Sequence, residues 1–152
     1  MRRFLSSRER SVSEVYEYIR KKSLGSREDA ARVVEFLLEE GTLDDRRFAS
    51  NRSQYRVSKS YGPLYIRQEL GRLKIDPDTG ISEEEYLEKA LEAAEKKLPG
   101  MMKKPDAEIR LYRFLQSRGY TGDQIRKTMK SLKTKYPHWA RRTSATELEE
   151  ES

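Results

Sequence analysis

The chain has 152 residues, a formal net charge of +6 and no cysteine, which excludes disulfides, thiolate metal sites and a cysteine nucleophile. Hydrophobic residues make up 35% against 38% charged, with a mean hydropathy of −0.98, so the core must be thin and an elongated shape fits better than a compact sphere. No apolar run is long enough to span a membrane, and the Met1–Arg8 opening lacks the apolar heart of a signal peptide, so the expected location is cytoplasmic.

The predicted elements are all helical. A first short helix is expected over Arg3–Arg10. Ser11 with Glu14 then forms a capping box, in which the serine oxygen takes an orphan N–H and the glutamate reaches back. Val12, Val15, Tyr16 and Ile19 follow at helical spacing, and the segment ends at Leu24, with Gly25 as the expected stop. Ser26-Arg27-Glu28-Asp29 opens the next helix, whose stripe is Ala30, Val33, Val34, Leu37 and Leu38, stopped by Gly41. Asp44, with Thr42 as a competitor, caps a helix running to Ser60. Gly62-Pro63 opens another, with Ile66, Leu70 and Leu73 on one face and Ile75 at its end. Gly71 inside that helix costs about 1 kcal/mol relative to alanine.

Asp76-Pro77-Asp78-Thr79-Gly80 is a turn. Ser82-Glu83-Glu84-Glu85 starts a helix carrying Leu87, Ala90, Leu91, Ala94 and Leu98. Pro99-Gly100 and Pro105 break the helical pattern and leave only a weak helix near Ala93–Lys104. Leu111, Tyr112 and Leu115 mark the next helix, which ends at Tyr120. Thr121-Gly122-Asp123-Gln124 starts the last, with Ile125, Met129 and Leu132.

Three similar caps, each preceded by a helix that ends in an apolar residue, imply an internal repeat. The expected organisation is a three-helix unit used three times, at 1–41, 42–95 and 96–135, followed by a flexible tail at 136–152. No unit alone carries enough apolar side chains for a core. Stacking them would share the apolar faces and build an all-α, elongated, curved array.

Charge alternates in blocks: basic over 1–26, acidic over 27–45, basic over 46–74, acidic over 76–98 and basic over 99–135. With an isoelectric point near 9.5, a polyanion is the favoured partner. Between Asp45 and Lys74 the only acid is Glu69, among Arg46, Arg47, Arg52, Arg56, Lys59, Arg67 and Arg72. Arg52, Arg56 and Lys59 share one helical face, and guanidinium forks suit phosphate or carboxylate. Tyr55, Tyr61 and Tyr65 are interleaved with these cations and are suited to stacking on bases or anchoring a protein interface. Arg113, Arg118 and Arg126 belong to a second basic cluster. The plainer reading is that long cationic side chains cover a thin core. His138 is the sole histidine and founds no metal cluster. There is no phosphate loop and no catalytic constellation, so no cofactor, metal, small-molecule substrate or enzymatic activity is expected.

Two stretches are more specific: Leu43-Asp44-Asp45-Arg46-Arg47-Phe48, and Tyr61-Gly62-Pro63 leading into Ile66-Arg67-Gln68-Glu69-Leu70. They resemble the signature of the RecX family, as do Leu5–Ser11 and Arg113–Tyr120, and the resemblance runs over roughly residues 3–133. It implies three tandem three-helix repeats. It also implies a regulator that binds the RecA recombinase filament on single-stranded DNA, lies in its groove, and suppresses ATP hydrolysis and strand exchange; a monomer is the default expectation. Direct contact with single- or double-stranded DNA would be weaker. The alternative is a stand-alone basic DNA-binding helical protein.

Overall fold

The computed structural model describes residues 1–139, and its regular structure is helical. In chain order the helices are α1 (Arg2–Ser7), α2 (Val12–Lys21), α3 (Arg27–Glu39), α4 (Asp45–Ser58), α5 (Pro63–Arg72), α6 (Glu83–Met101), α7 (Ala107–Ser117) and α8 (Gly122–Lys135). The tail expected from residue 136 lies outside the described residues from residue 140 on. Contacts divide the chain into two compact units. One comprises Met1–Ser53 with Arg67–Gly80, the other Gln54–Ile66 with the chain from Ile81 onward.

In the first unit, α2 and α3 close on a core of Val15, Ile19, Ala30, Val34, Leu37 and Leu43, and Phe4, Leu5, Val12 and Tyr16 pack against it. Val33 and Leu38, expected on the buried stripe of α3, are 37% and 46% exposed. The helix turns 100° per residue, and a face centred on Ala30, Val34 and Leu37 leaves both at its margins. Ser11–Glu14 and Ser26–Asp29 are both two-sided capping boxes. Asp44 caps α4 by accepting the N–H groups of Arg46 and Arg47 at 3.0 and 3.1 Å. Its neighbour Asp45 reaches back across the unit and accepts the N–H of Val12, the first residue of α2, at 2.9 Å. The Asp-Asp pair therefore satisfies orphan donors of two helices.

In the second unit, α6 lies against α7 and α8. Ala90, Ala94, Leu98, Leu111, Leu115, Tyr120, Ile125 and Leu132 are buried there. Thr121 and Gln124 form the third complete capping box, whereas Ser82 accepts the Glu85 N–H without the reciprocal bond. Pro99 does not end a helix. It sits inside α6, which continues to Met101, and the weak helix expected over 93–104 is the last stretch of this one. Pro99 lies in the final turn and removes the N–H that would serve the Glu95 carbonyl, and Leu98, 2% exposed, holds the turn against the core.

Four helix ends share one backbone device. The N–H groups of Leu24, Tyr61, Ile75 and Tyr120 donate to the carbonyls of Ile19, Arg56, Leu70 and Leu115, five residues back. The preceding residues, Ser23, Ser60, Lys74 and Gly119, all have positive φ. This is the Schellman ending, in which one left-handed residue reverses the chain and an apolar residue follows. At the first of them the left-handed residue is Ser23 and not the expected Gly25, because the helix needs the reversal directly after its last turn.

Candidate functional site

The basic residues of the sequence motifs separate into tethers and presented groups. In the first unit, Arg47 is a tether. Its guanidinium donates to Glu9 at 2.5 Å, to the Gly41 carbonyl at 3.1 Å and to the Thr42 carbonyl at 3.2 Å. The hydrogen bond from Glu9 raises the pKa of Arg47. Asn51 donates to the other Glu9 oxygen at 2.9 Å, so this acid gathers the start of α4 onto the N-terminal segment. Arg52 donates to Glu69 of α5 at 2.9 Å and lies 5.2 Å from the ring centre of the buried Phe48. Arg46, Arg67 and Arg72 are exposed.

In the second unit, α4 ends among aromatic rings. Arg56 lies 5.7, 5.6 and 5.4 Å from the ring centres of Tyr55, Tyr61 and Tyr65. Tyr61 and Tyr65 are stacked on each other, centroids 4.2 Å apart. Arg118, arriving from the end of α7, lies 3.9 Å from the Tyr61 ring centre. It donates to the Ser60 carbonyl at 3.2 Å and also to the carbonyl of Lys59. Lys59 Nζ stands 5.8 Å from the Tyr55 ring centre. Cations over aromatic faces gain from the ring quadrupole.

The backbone under this cluster joins the two motifs that the sequence singled out. Gly62 N–H donates to the Arg118 carbonyl at 2.7 Å, and Leu64 N–H to the Gly119 carbonyl at 2.9 Å. A Cβ on Gly62 would lie 2.5 Å from backbone atoms of Gly119 and Tyr120, and one on Gly119 would lie 2.5 Å from Tyr65. Gly119 also has φ +92°. Tyr61-Gly62-Pro63 and Arg118-Gly119-Tyr120 therefore meet main chain to main chain, and glycine is required on both sides.

Of the residues expected to bind a partner, the fold gathers Tyr55, Arg56, Lys59, Tyr65 and Arg118, together with Tyr61. It does not bring Arg113 or Arg126 into that cluster. Arg113 is exposed on α7. Arg126 pairs with Asp123 at 3.4 Å and lines a separate depression of about 500 Å³ with Tyr112, Lys130 and Lys133. Sequence reasoning assigned no role to Glu9 and Asp45, although both lie in stretches that carry the family resemblance; they hold the first unit together through partners far away in sequence. Among the described residues no group of acids or histidine is placed to hold a metal ion, and no helix is long and apolar enough to cross a membrane.

Models of the second and third three-helix domains of RecX match residues 44–79 and 83–129. The regulatory protein RecX of Vibrio campbellii is 35% identical over 127 residues, covering 80% of this chain and 81% of its own. The chain belongs to the RecX family. RecX of Legionella pneumophila is 34% identical over 140 residues, covering 88% of this chain and 93% of its own. The crystal structure of RecX from Lactobacillus salivarius superposes with a TM-score of 0.75 at 18% identity, over 86% of this chain and 90% of that one. It shares the helical-repeat fold. The RecX third-domain match holds α6, α7 and the first part of α8, and its neighbour holds α4 and α5. The joint at Gly62 and Gly119 thus links the two matched RecX domains.

Proposed function

We propose that this chain binds RecA recombinase filaments on single-stranded DNA and restrains their ATP hydrolysis and strand exchange, as a cytoplasmic, monomeric binding protein without catalysis of its own. Membership of a family whose curated relatives are named regulatory proteins supports the reading. The observation that carries it on this chain is the cluster of Arg56, Lys59 and Arg118 among three tyrosines. It offers cations and aromatic surface together, the combination that recognises a nucleoprotein surface.

The test is ATP hydrolysis by recombinase on single-stranded DNA, titrated with this protein. Suppression well below one protein per recombinase subunit supports filament regulation. Suppression only at amounts that coat naked DNA favours the stand-alone DNA-binding reading instead. Reversing Lys59 and Arg67, both exposed, to glutamate is expected to weaken filament retention about tenfold with helicity intact. Arg52 is the poorer target, because it donates to Glu69 within the first unit and its loss would disturb the packing there.

A further inference from the structure

The three tyrosines of the cluster are not equivalent. Tyr61 and Tyr65 spend ring faces on each other, and Arg118 lies close over Tyr61. Tyr55 is different. It stacks on no other ring among the described residues and is 53% exposed. Its neighbours on the same helix are Arg56 and Lys59, at 5.7 and 5.8 Å from its ring centre. From Arg46 through Gln68 the sequence holds no acidic residue, so the helix beyond Asp45 carries cations and no acid around this ring's position.

We propose that Tyr55 is a stacking platform for one unpaired base of a single-stranded nucleic acid, with Lys59 and Arg56 taking the adjoining phosphates. An aromatic face accepts any base, and a flanking cation answers the phosphate one sugar away. A duplex cannot use this site, because its bases are already stacked and their faces are covered. A protein partner fits less well. An interface anchor of this kind sits in a well-packed pocket ringed by contacts that exclude water, whereas Tyr55 is 53% exposed and has the cations of Arg56 and Lys59 beside its ring. The site deepens the reading of the cluster as a nucleoprotein contact. It requires no recombinase, so the two can fail separately.

The experiment uses the full chain and an oligo(dT) strand, with the matching duplex as control. The native tryptophan, Trp139, is 2% exposed and gives a nearly constant background. In the Tyr55→Trp variant, oligo(dT) is expected to quench the added emission, whereas the duplex leaves it unchanged. Tyr55→Ala should lower affinity for oligo(dT) about tenfold, Tyr55→Phe should retain it, and duplex affinity should move by less than about twofold. Circular dichroism of all three variants should match the parent, since the position is exposed. The proposal is overturned if quenching is absent, if Tyr55→Ala weakens strand and duplex equally, or if neither affinity moves. Loss of filament retention by Tyr55→Ala with oligo(dT) binding intact would make Tyr55 a protein contact and would also overturn it. Intact oligo(dT) binding with no effect on recombinase ATP hydrolysis would refute the regulatory reading and leave the stacking site standing.

Discussion

At Gly71 and Lys74 each residue occupies backbone that suits the other better. Gly71 lies within α5, and a Cβ added there meets nothing within 4 Å. Lys74 holds the left-handed reversal with φ 59°, a conformation that glycine adopts freely and other residues adopt at a cost. Gly71→Ala and Lys74→Gly are each expected to raise stability by about 1 kcal/mol, seen as a rise of about 2–4 °C in Tm by calorimetry. A fall in Tm with either substitution would contradict this account. The mismatch also explains which residues were readable in advance. Ser11, Ser26, Asp44, Ser82 and Thr121 announce helix starts, because their side chains accept the orphan N–H themselves. Ser23, Ser60 and Lys74 do not announce helix ends, because nothing in their side chains favours the left-handed backbone they adopt. Asp45 escaped notice for another reason: its partner, Val12, is 33 positions away.

Among the elements, α2 shows how a cap couples to charge. Burial by itself would raise the pKa of Glu14. The hydrogen bond from Arg8, the Ser11 N–H and the charges of Arg8 and Arg10 outweigh it and hold the carboxyl below its ordinary 4.5. A lowered folded-state pKa contributes stability above the unfolded value and loses it as pH falls through the folded value. Glu14→Gln should therefore cost about 1 kcal/mol at neutral pH and nothing at a pH below the folded-state pKa, where both states are protonated. Thermal melts at the two pH values check this, and an equal loss at both would show that the charge is irrelevant. The α5 entry is governed by sterics instead. Gly62→Ala drives a methyl group into the Gly119 backbone and should destabilise the chain by about 3 kcal/mol, measurable by urea unfolding. Sequence reading recognised Gly62-Pro63 as a turn and Tyr120 as the end of a helix. Their mutual contact was hidden, since two glycines carry no side-chain chemistry to suggest a partner. Pro99 misled for the opposite reason, as a strong breaker that tertiary packing overrides in the last turn of α6.

For the molecule as a whole, the all-helical repeat class was legible because caps and apolar spacing agreed along most of the chain. The candidate site was legible in part. Charge density located the basic stretch, but it could not tell Arg47 and Arg52, which acids hold in place, from Lys59, which stands over an exposed ring. Ionic strength separates the two views. If every cation expected from the sequence met a phosphate of a single strand, the logarithm of affinity would fall against the logarithm of salt concentration with a slope of about −7. The few that the fold gathers predict a slope of about −2. Fluorescence titrations of oligo(dT) at stepped sodium chloride measure it, and the steeper value would restore both basic clusters as the footprint.

The seam at Gly62 and Gly119 is closed by peptide groups and braced by the Arg118 guanidinium, and the side chains of Tyr55 and Leu64 take no part in it. Tyr55 and Leu64, both half or nearly half exposed, can therefore be exchanged for dye-bearing or photo-cross-linking residues while the seam stays closed. Two positions that tolerate no added methyl group thus leave their surroundings open to chemical labelling, and a label placed there would report from within the aromatic cluster itself.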